Sequence, residues 1–106
     1  ALAATERLID RAPDQAAAAI RAIVQAQRAL EQDVTLATQV GEKLFPPSEA
    51  ALIAELIRRD LPFYDAAVSR TFVAGMNQFA RQMGILEGYV AYDGVVAARF
   101  TPMWTA

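Results

Sequence analysis

Residues 13 to 32 decide the fold prediction, and they read PDQAAAAIRAIVQAQRALEQ. Ile20, Ile23 and Val24 fall on one side at helical spacing, while polar side chains occupy the other. Pro13 suits the first turn of a helix, because the N–H that it lacks has no partner there. The stretch therefore predicts an amphipathic helix that begins near Pro13. Gln27 falls near the middle of its apolar face, so we expect that amide to be largely buried and hydrogen-bonded.

Prolines and capping residues predict two further helices after this one. Asp33 or Thr35 can cap a shorter helix, and Phe45-Pro46-Pro47 ends it, because two consecutive prolines cannot continue a helix. Ser48 behind the prolines suits a new helix that runs to about Asp60. The next five residues, 61 to 65, contain a proline and are predicted to form a connecting loop.

A fourth helix is predicted between Ser69, as its cap, and Gly84, as its terminator with a positive φ. A fifth, short helix is expected from about Tyr92 to Ala98, although Gly94 weakens it. The apolar side chains of the fourth helix recur at helical spacing, which favours ordinary core over the lining of a pocket. These side chains are Phe72, Met76, Phe79 and Met83.

The N-terminal residues leave two interpretations open. Residues 1 to 5 fit either a strand end or the start of a helix, and residues 6 to 10 fit a helical turn. No repeat, charge block or low-complexity run divides the chain. The predicted fold is all-α, a small bundle of about four to five helices that forms one domain over residues 1 to 106.

Composition argues against several classes of function. The chain lacks cysteine and histidine, which removes thiolate chemistry, the commonest general base and the commonest zinc ligands. A net charge of -2 with interspersed charges gives no basic face for nucleic acid. No apolar run is long enough to span a bilayer, so we expect a soluble chain. The hydrophobic fraction of 55% is high and indicates apolar surface that needs another body to cover it.

Polar and aromatic candidates for a site have simpler structural interpretations. The acidic residues fall at helix ends or loops, where capping and solvation are expected, and Arg58-Arg59 is expected to be a solvated helix face. The aromatic residues in loops and the tail are expected to cover core edges rather than to stack on a ligand. No catalytic, cofactor, metal or ligand-binding residue is assigned. The acids are Glu31, Asp33, Glu49, Asp60, Asp65 and Asp93, and the aromatic residues are Tyr64, Tyr89, Tyr92 and Trp104.

The order of motifs resembles the last third of periplasmic solute-binding proteins of the nitrate, sulfonate and taurine importer group. That superfamily also includes the pyrimidine-precursor-binding proteins of thiamine synthesis. Coverage is essentially the whole chain, although each motif is short. The motifs are Leu2-Ala3-Ala4-Thr5-Glu6-Arg7-Leu8-Ile9, Pro13-Asp14, residues 21 to 28 and 35 to 40, Phe45-Pro46, residues 61 to 65, 75 to 80 and 84 to 86, residues 92 to 97, Phe100 and Trp104.

The resemblance implies a C-terminal segment of a larger, two-lobed α/β protein outside the cytoplasm. Such a protein binds a small solute and delivers it to the membrane permease of an ABC importer. The segment is then non-catalytic, needs no cofactor, and has the remainder of the lobe as its partner. Two alternatives come from other classes of protein. One is a free-standing helical module that self-associates into a homodimer, and the other is a small enzyme subunit. The absence of histidine and cysteine disfavours the enzyme.

Overall fold

The computed structural model describes residues 2 to 105 and confirms the all-α prediction. No strand occurs among these residues, and residues 2 to 5 lead without regular structure into the first helix. Four helices have ten or more residues and three are shorter. They are α1 (Glu6–Arg11), α2 (Pro13–Gln32), α3 (Thr35–Leu44), α4 (Pro47–Asp60), α5 (Arg70–Gln82), α6 (Tyr92–Val95) and α7 (Thr101–Thr105), with 3₁₀ turns at Leu61–Phe63 and Ala98–Phe100.

Most helix ends follow the signals in the sequence, but Ser48 does not cap α4, which begins at Pro47 after Pro46 and has no side-chain cap. Pro13 occupies the first turn of α2, as predicted. The Asp33 carboxylate accepts a hydrogen bond from the Thr35 backbone N–H at 3.1 Å, at the start of α3. The Ser69 hydroxyl caps α5 by accepting from the Phe72 N–H at 3.0 Å. Gly84 has a φ of 73° just beyond α5, which confirms the predicted terminator.

The predictions for the connections and the tail were partly wrong. Residues 61 to 65 hold a 3₁₀ turn, Leu61–Phe63, where a loop was expected. The predicted helix over 92 to 98 ends at Val95, since Val96 has extended backbone angles. The helix α7 that follows was not predicted, because a proline within a five-residue segment gives no periodicity to read.

The described chain divides into two compact units, with the boundary between Tyr64 and Asp65. We call the part up to Tyr64 the N-terminal unit and the part from Asp65 the C-terminal unit. The connection that separates them consists of the 3₁₀ turn after α4 and the residues without regular structure before α5. A single domain over residues 1 to 106 stays a prediction.

Small residues form the core of the N-terminal unit. Ala37 and Gly41 are buried on α3, and Ala50 and Ala54 are buried on α4. A Cβ atom added at Gly41 would lie 3.5 Å from the Ala50 Cβ and 3.6 Å from its Cα and carbonyl oxygen. The two helices, joined by a two-residue connection, therefore approach closely as a helical hairpin.

The expectation that Gln27 is largely buried was wrong, because its side chain is only half-buried. The buried positions of α2 are Ala17 and Val24, which are separated by two helical turns and form a narrow row. Gln27 lies beside that row rather than within it. The core under α2 is too small to cover the wider apolar face that the sequence pattern outlines.

Candidate interaction surface

The apolar side of α5 faces solvent, which contradicts its predicted role as core. Phe72 is 58% exposed, Met76 50%, Phe79 53% and Met83 62%. We call these four residues the α5 stripe. Phe72, Met76 and Phe79 lie in one row along α5, and Met83, the C-cap residue directly after the helix, continues the row, with spacings of four, three and four residues. An exposed row of large apolar side chains is typical of a surface that binds another polypeptide.

The stripe is exposed because α5 buries a neighbouring face instead. Val73 and Asn77 are the buried residues of α5. The Asn77 side-chain amide donates to the Val90 carbonyl at 2.9 Å and to the Val73 carbonyl at 3.1 Å, and its oxygen accepts from the Val90 N–H at 2.9 Å. Asn77 thus holds the backbone of residue 90 against α5, on the side away from the stripe. We call this set of contacts the Asn77 clamp.

Sequence reasoning missed Asn77, although a signal for it was present. Asparagine is a poor residue for a helix interior unless its amide has a specific partner. Asn77 lies in the middle of α5, one turn after Val73, and has no helix end to cap. Its amide satisfies both backbone groups of Val90, which a loop residue would otherwise leave to water.

A second set of polar contacts fastens the start of α6. The Tyr92 hydroxyl donates to the Val68 carbonyl at 2.6 Å. The Arg70 guanidinium lies 4.4 Å from the centroid of the Tyr92 ring and 3.9 Å from an Asp93 carboxylate oxygen. Polar side-chain contacts therefore hold residues 68, 90 and 92 around α5, and the α5 stripe takes no part in them.

A groove lies on the side of α5 that carries the Asn77 clamp. It has a volume of about 770 Å³ and is open to solvent. One arginine and one glutamate line it, so it offers no concentrated charge for an ionic ligand. Its lining is Ala74, Asn77, Gln78, Arg81 and Gln82 from α5, with Gly84, Leu86, Glu87 and Tyr89 from the following loop.

The N-terminal unit also exposes apolar side chains, but it scatters them over several elements. Each of α1 to α4 carries at least one large apolar residue that is exposed. No helix of this unit concentrates four of them in one row as α5 does. The exposed residues of the helices and their flanks are Leu2, Leu8, Ile23, Val40, Leu44, Phe45, Leu52, Leu56 and Phe63.

The acidic candidates mostly have the structural contacts expected of them. Besides its contact with the Thr35 N–H, Asp33 accepts from the Thr35 hydroxyl at 2.5 Å. Asp65 accepts from the Ala67 N–H at 2.9 Å, Asp93 faces Arg70, and Glu49 lies in the first turn of α4. Among residues 2 to 105, no group of three or more acidic side chains is placed to hold a metal ion.

The basic pair Arg58-Arg59 is engaged with neighbouring acids on an exposed helix face. Arg58 contacts Glu55 at 2.9 Å, and Arg59 contacts Asp60 at 2.9 Å. The hydrogen bond from Arg59 lowers the pKa of Asp60 below its usual value and raises that of Arg59. This is the solvated face that the sequence predicts rather than a binding patch.

Three of the four aromatic candidates are half-buried, as expected for residues that cover core edges. These are Tyr64, Tyr92 and Trp104. The same expectation for Tyr89 was wrong, since its ring is exposed at the rim of the groove. Tyr89 directly precedes Val90, whose backbone the Asn77 clamp holds.

Comparisons with known proteins add no relative. No protein-family model, curated protein or solved structure matches the chain significantly. Within the part of the chain that the structure describes, no helix is long and apolar enough to cross a membrane.

Proposed function

We propose that the chain is a non-catalytic segment of the solute-binding component of an ABC importer, located in the periplasm or otherwise outside the cytoplasm. The observation that carries the proposal is that the described residues of the N-terminal unit bury only alanine, glycine and one valine, while large apolar side chains are exposed on all four of its helices. A docking site for a single partner gathers such residues into one patch. Residues exposed on α2, α3 and α4 alike suit a segment that a larger body surrounds.

The motifs that carry the resemblance support this proposal by where they fall. Pro13 begins α2, Phe45-Pro46 separates α3 from α4, and Gly84 follows α5. The proposed partner is the remainder of the binding-protein lobe and, through it, a membrane permease. The proposed ligand of the complete protein is a small solute such as nitrate, a sulfonate, taurine or a pyrimidine precursor.

The test is to obtain the complete reading frame that contains these residues and to study its product. The expected reading frame encodes both lobes together with an export signal. The melting temperature of the purified product is then measured with nitrate, taurine, an alkanesulfonate and an aminopyrimidine in turn. A rise with one of them, absent from residues 1 to 106 alone, is the expected result. A reading frame without further lobes, or a product whose melting temperature none of the four changes, overturns the proposal.

The α5 stripe favours a second candidate function, a helical module that self-associates. Its four large side chains form one row rather than a scatter, which is the pattern of a single docking surface. Sedimentation of residues 1 to 106 over a concentration series tests it. A monomer at high micromolar concentration excludes this candidate and leaves the solute-binding proposal unaffected.

A further inference from the structure

We propose that α5 pairs with α5 of a second copy of the chain, antiparallel, through the α5 stripe. The inference deepens the self-association candidate and does not rest on the solute-binding assignment. The spacing of the stripe is the same when read in either direction, namely four, three and four residues. A twofold axis between positions 77 and 78 places Phe72 opposite Met83 of the second copy and Met76 opposite Phe79. Such self-complementarity is what a twofold interface requires.

The chemistry of the stripe fits this register. In the antiparallel arrangement each of the four contacts joins a methionine to a phenylalanine, and thioether sulfur packs favourably against aromatic rings. A parallel arrangement would place like residues opposite each other and would lose these contacts. The sequence order phenylalanine, methionine, phenylalanine, methionine therefore favours the antiparallel pair over the parallel one.

Charge does not oppose the pairing. No charged residue belongs to the α5 stripe. The two arginines of α5 are directed elsewhere, since Arg70 lies over the Tyr92 ring and Arg81 lines the groove. A Cβ atom added at Gly75, at the edge of the stripe, would meet no atom within 4 Å. The space beside Gly75 is therefore open, and neither arginine of α5 lies on this edge of the stripe.

The apolar area that the α5 stripe can bury limits the strength of the association. Two phenylalanines and two methionines that are half exposed or more give roughly 450 Å² per copy, or about 900 Å² for the pair. Ile85, which is exposed just beyond Gly84, extends the surface. With Ile85 included, the total approaches the roughly 1,000 Å² that a specific interface should exceed, and interfaces of this size are typically weak or transient. We therefore expect a weak dimer, which is best detected at high micromolar concentration.

Engineered cysteines test the register directly, because the chain has no cysteine of its own. Single variants Phe72→Cys and Met83→Cys, which carry tags of different mass, are mixed and oxidised with glutathione. The expected product is the mixed disulfide between the two variants, in clear excess over either homodimer. Homodimers in excess would indicate a parallel pair and overturn the inference. Unlinked variants overturn it as well if the parent chain, which keeps all four stripe side chains, sediments as a monomer at high micromolar concentration.

A matched pair of substitutions tests the surface. Met76→Asp places a charge on the stripe, and Gln78→Asp places the same charge two residues away, on the groove side. Sedimentation over a concentration series is expected to give a dissociation constant at least about tenfold higher for Met76→Asp than for Gln78→Asp. Equal constants overturn the inference. The cysteine experiment remains decisive if circular dichroism finds that Met76→Asp loses helix, and neither result depends on solute binding by a longer protein.

Discussion

The N-terminal and C-terminal units reach stability by different means. The α3–α4 hairpin packs through small residues, with the Gly41 and Ala50 backbones close together. The C-terminal unit places a polar side chain, Asn77, where a helix of a small domain usually places an apolar one. The first arrangement depends on the close fit of small residues, and the second adds the hydrogen bonds of Asn77 to the buried apolar side chains of Val73 and Phe100.

This difference accounts for the exposure of the α5 stripe to solvent. The Asn77 clamp and the Tyr92 hydroxyl hold the backbone around α5, so the side chains of the stripe make none of the contacts that hold it. They remain available for another surface. In the N-terminal unit the buried residues are alanine, glycine and one valine, so larger residues such as Leu44 and Leu52 are left outside the core.

The largest loss in the free energy of unfolding is expected from Asn77→Leu. The substitution removes three hydrogen bonds and leaves the N–H and carbonyl of Val90 without partners, at a cost of roughly 2–4 kcal/mol in the free energy of unfolding. Urea denaturation measures the loss, and hydrogen exchange should locate it in the C-terminal unit.

Gln78→Leu is the control for this prediction. It introduces the same side chain at an exposed position of the same helix, where a change within about 0.5 kcal/mol is expected. If both variants unfold at the same urea concentration, the Asn77 clamp does not hold the C-terminal unit. The comparison between the two units would then fail.

Gly41→Leu is expected to have the next largest effect, in the N-terminal unit. The leucine side chain would extend past its Cβ into the Ala50 backbone, which lies 3.6 Å from that Cβ position. Overpacking of this kind costs about 1–3 kcal/mol. The control is Gly41→Ala, whose Cβ fits at ordinary contact distance and gains roughly 0.5–1 kcal/mol of helix propensity. Equal thermal stability of the two variants would contradict the close approach of α3 and α4.

The sequence predicted the helices well and their buried faces poorly, for a physical reason. Proline and capping residues act on their own backbone, so Pro13, Ser69 and Gly84 could be interpreted without knowledge of the fold. Periodicity identifies an apolar face but does not say what covers it. The α5 stripe was predicted as core because its spacing is that of a core face. One of the two positions that α5 buries instead is Asn77, whose partner Val90 lies thirteen residues further on.

Gly84→Ala is expected to cost about 1 kcal/mol, because a side chain would be forced into the left-handed region at a φ of 73°. No atom lies within 4 Å of the added Cβ, so the cost is conformational and not steric. Gly88→Ala is the matched control, since an added Cβ there is equally free and its φ is not positive. Equal melting temperatures for the two variants would show that the end of α5 does not depend on Gly84.

The smallest expected effect on stability is that of the pair formed by Asp60 and Arg59. This prediction tests whether surface charges stabilise the N-terminal unit. The Arg59 hydrogen bond lowers the pKa of Asp60 in the folded chain relative to the unfolded one. Its contribution to stability is therefore present above the unfolded pKa and is lost as the pH falls through the folded pKa. The Arg59 side chain is mostly exposed and that of Asp60 about half exposed, so solvent screens the pair and little stability depends on it.

A carboxyl titration by NMR should find a higher Asp60 pKa in Arg59→Gln than in the parent chain. Arg58→Gln is the control, because Arg58 pairs with Glu55 and its loss should change the Asp60 pKa less. If both variants leave the Asp60 titration where it is in the parent chain, the contact with Arg59 does not persist in solution.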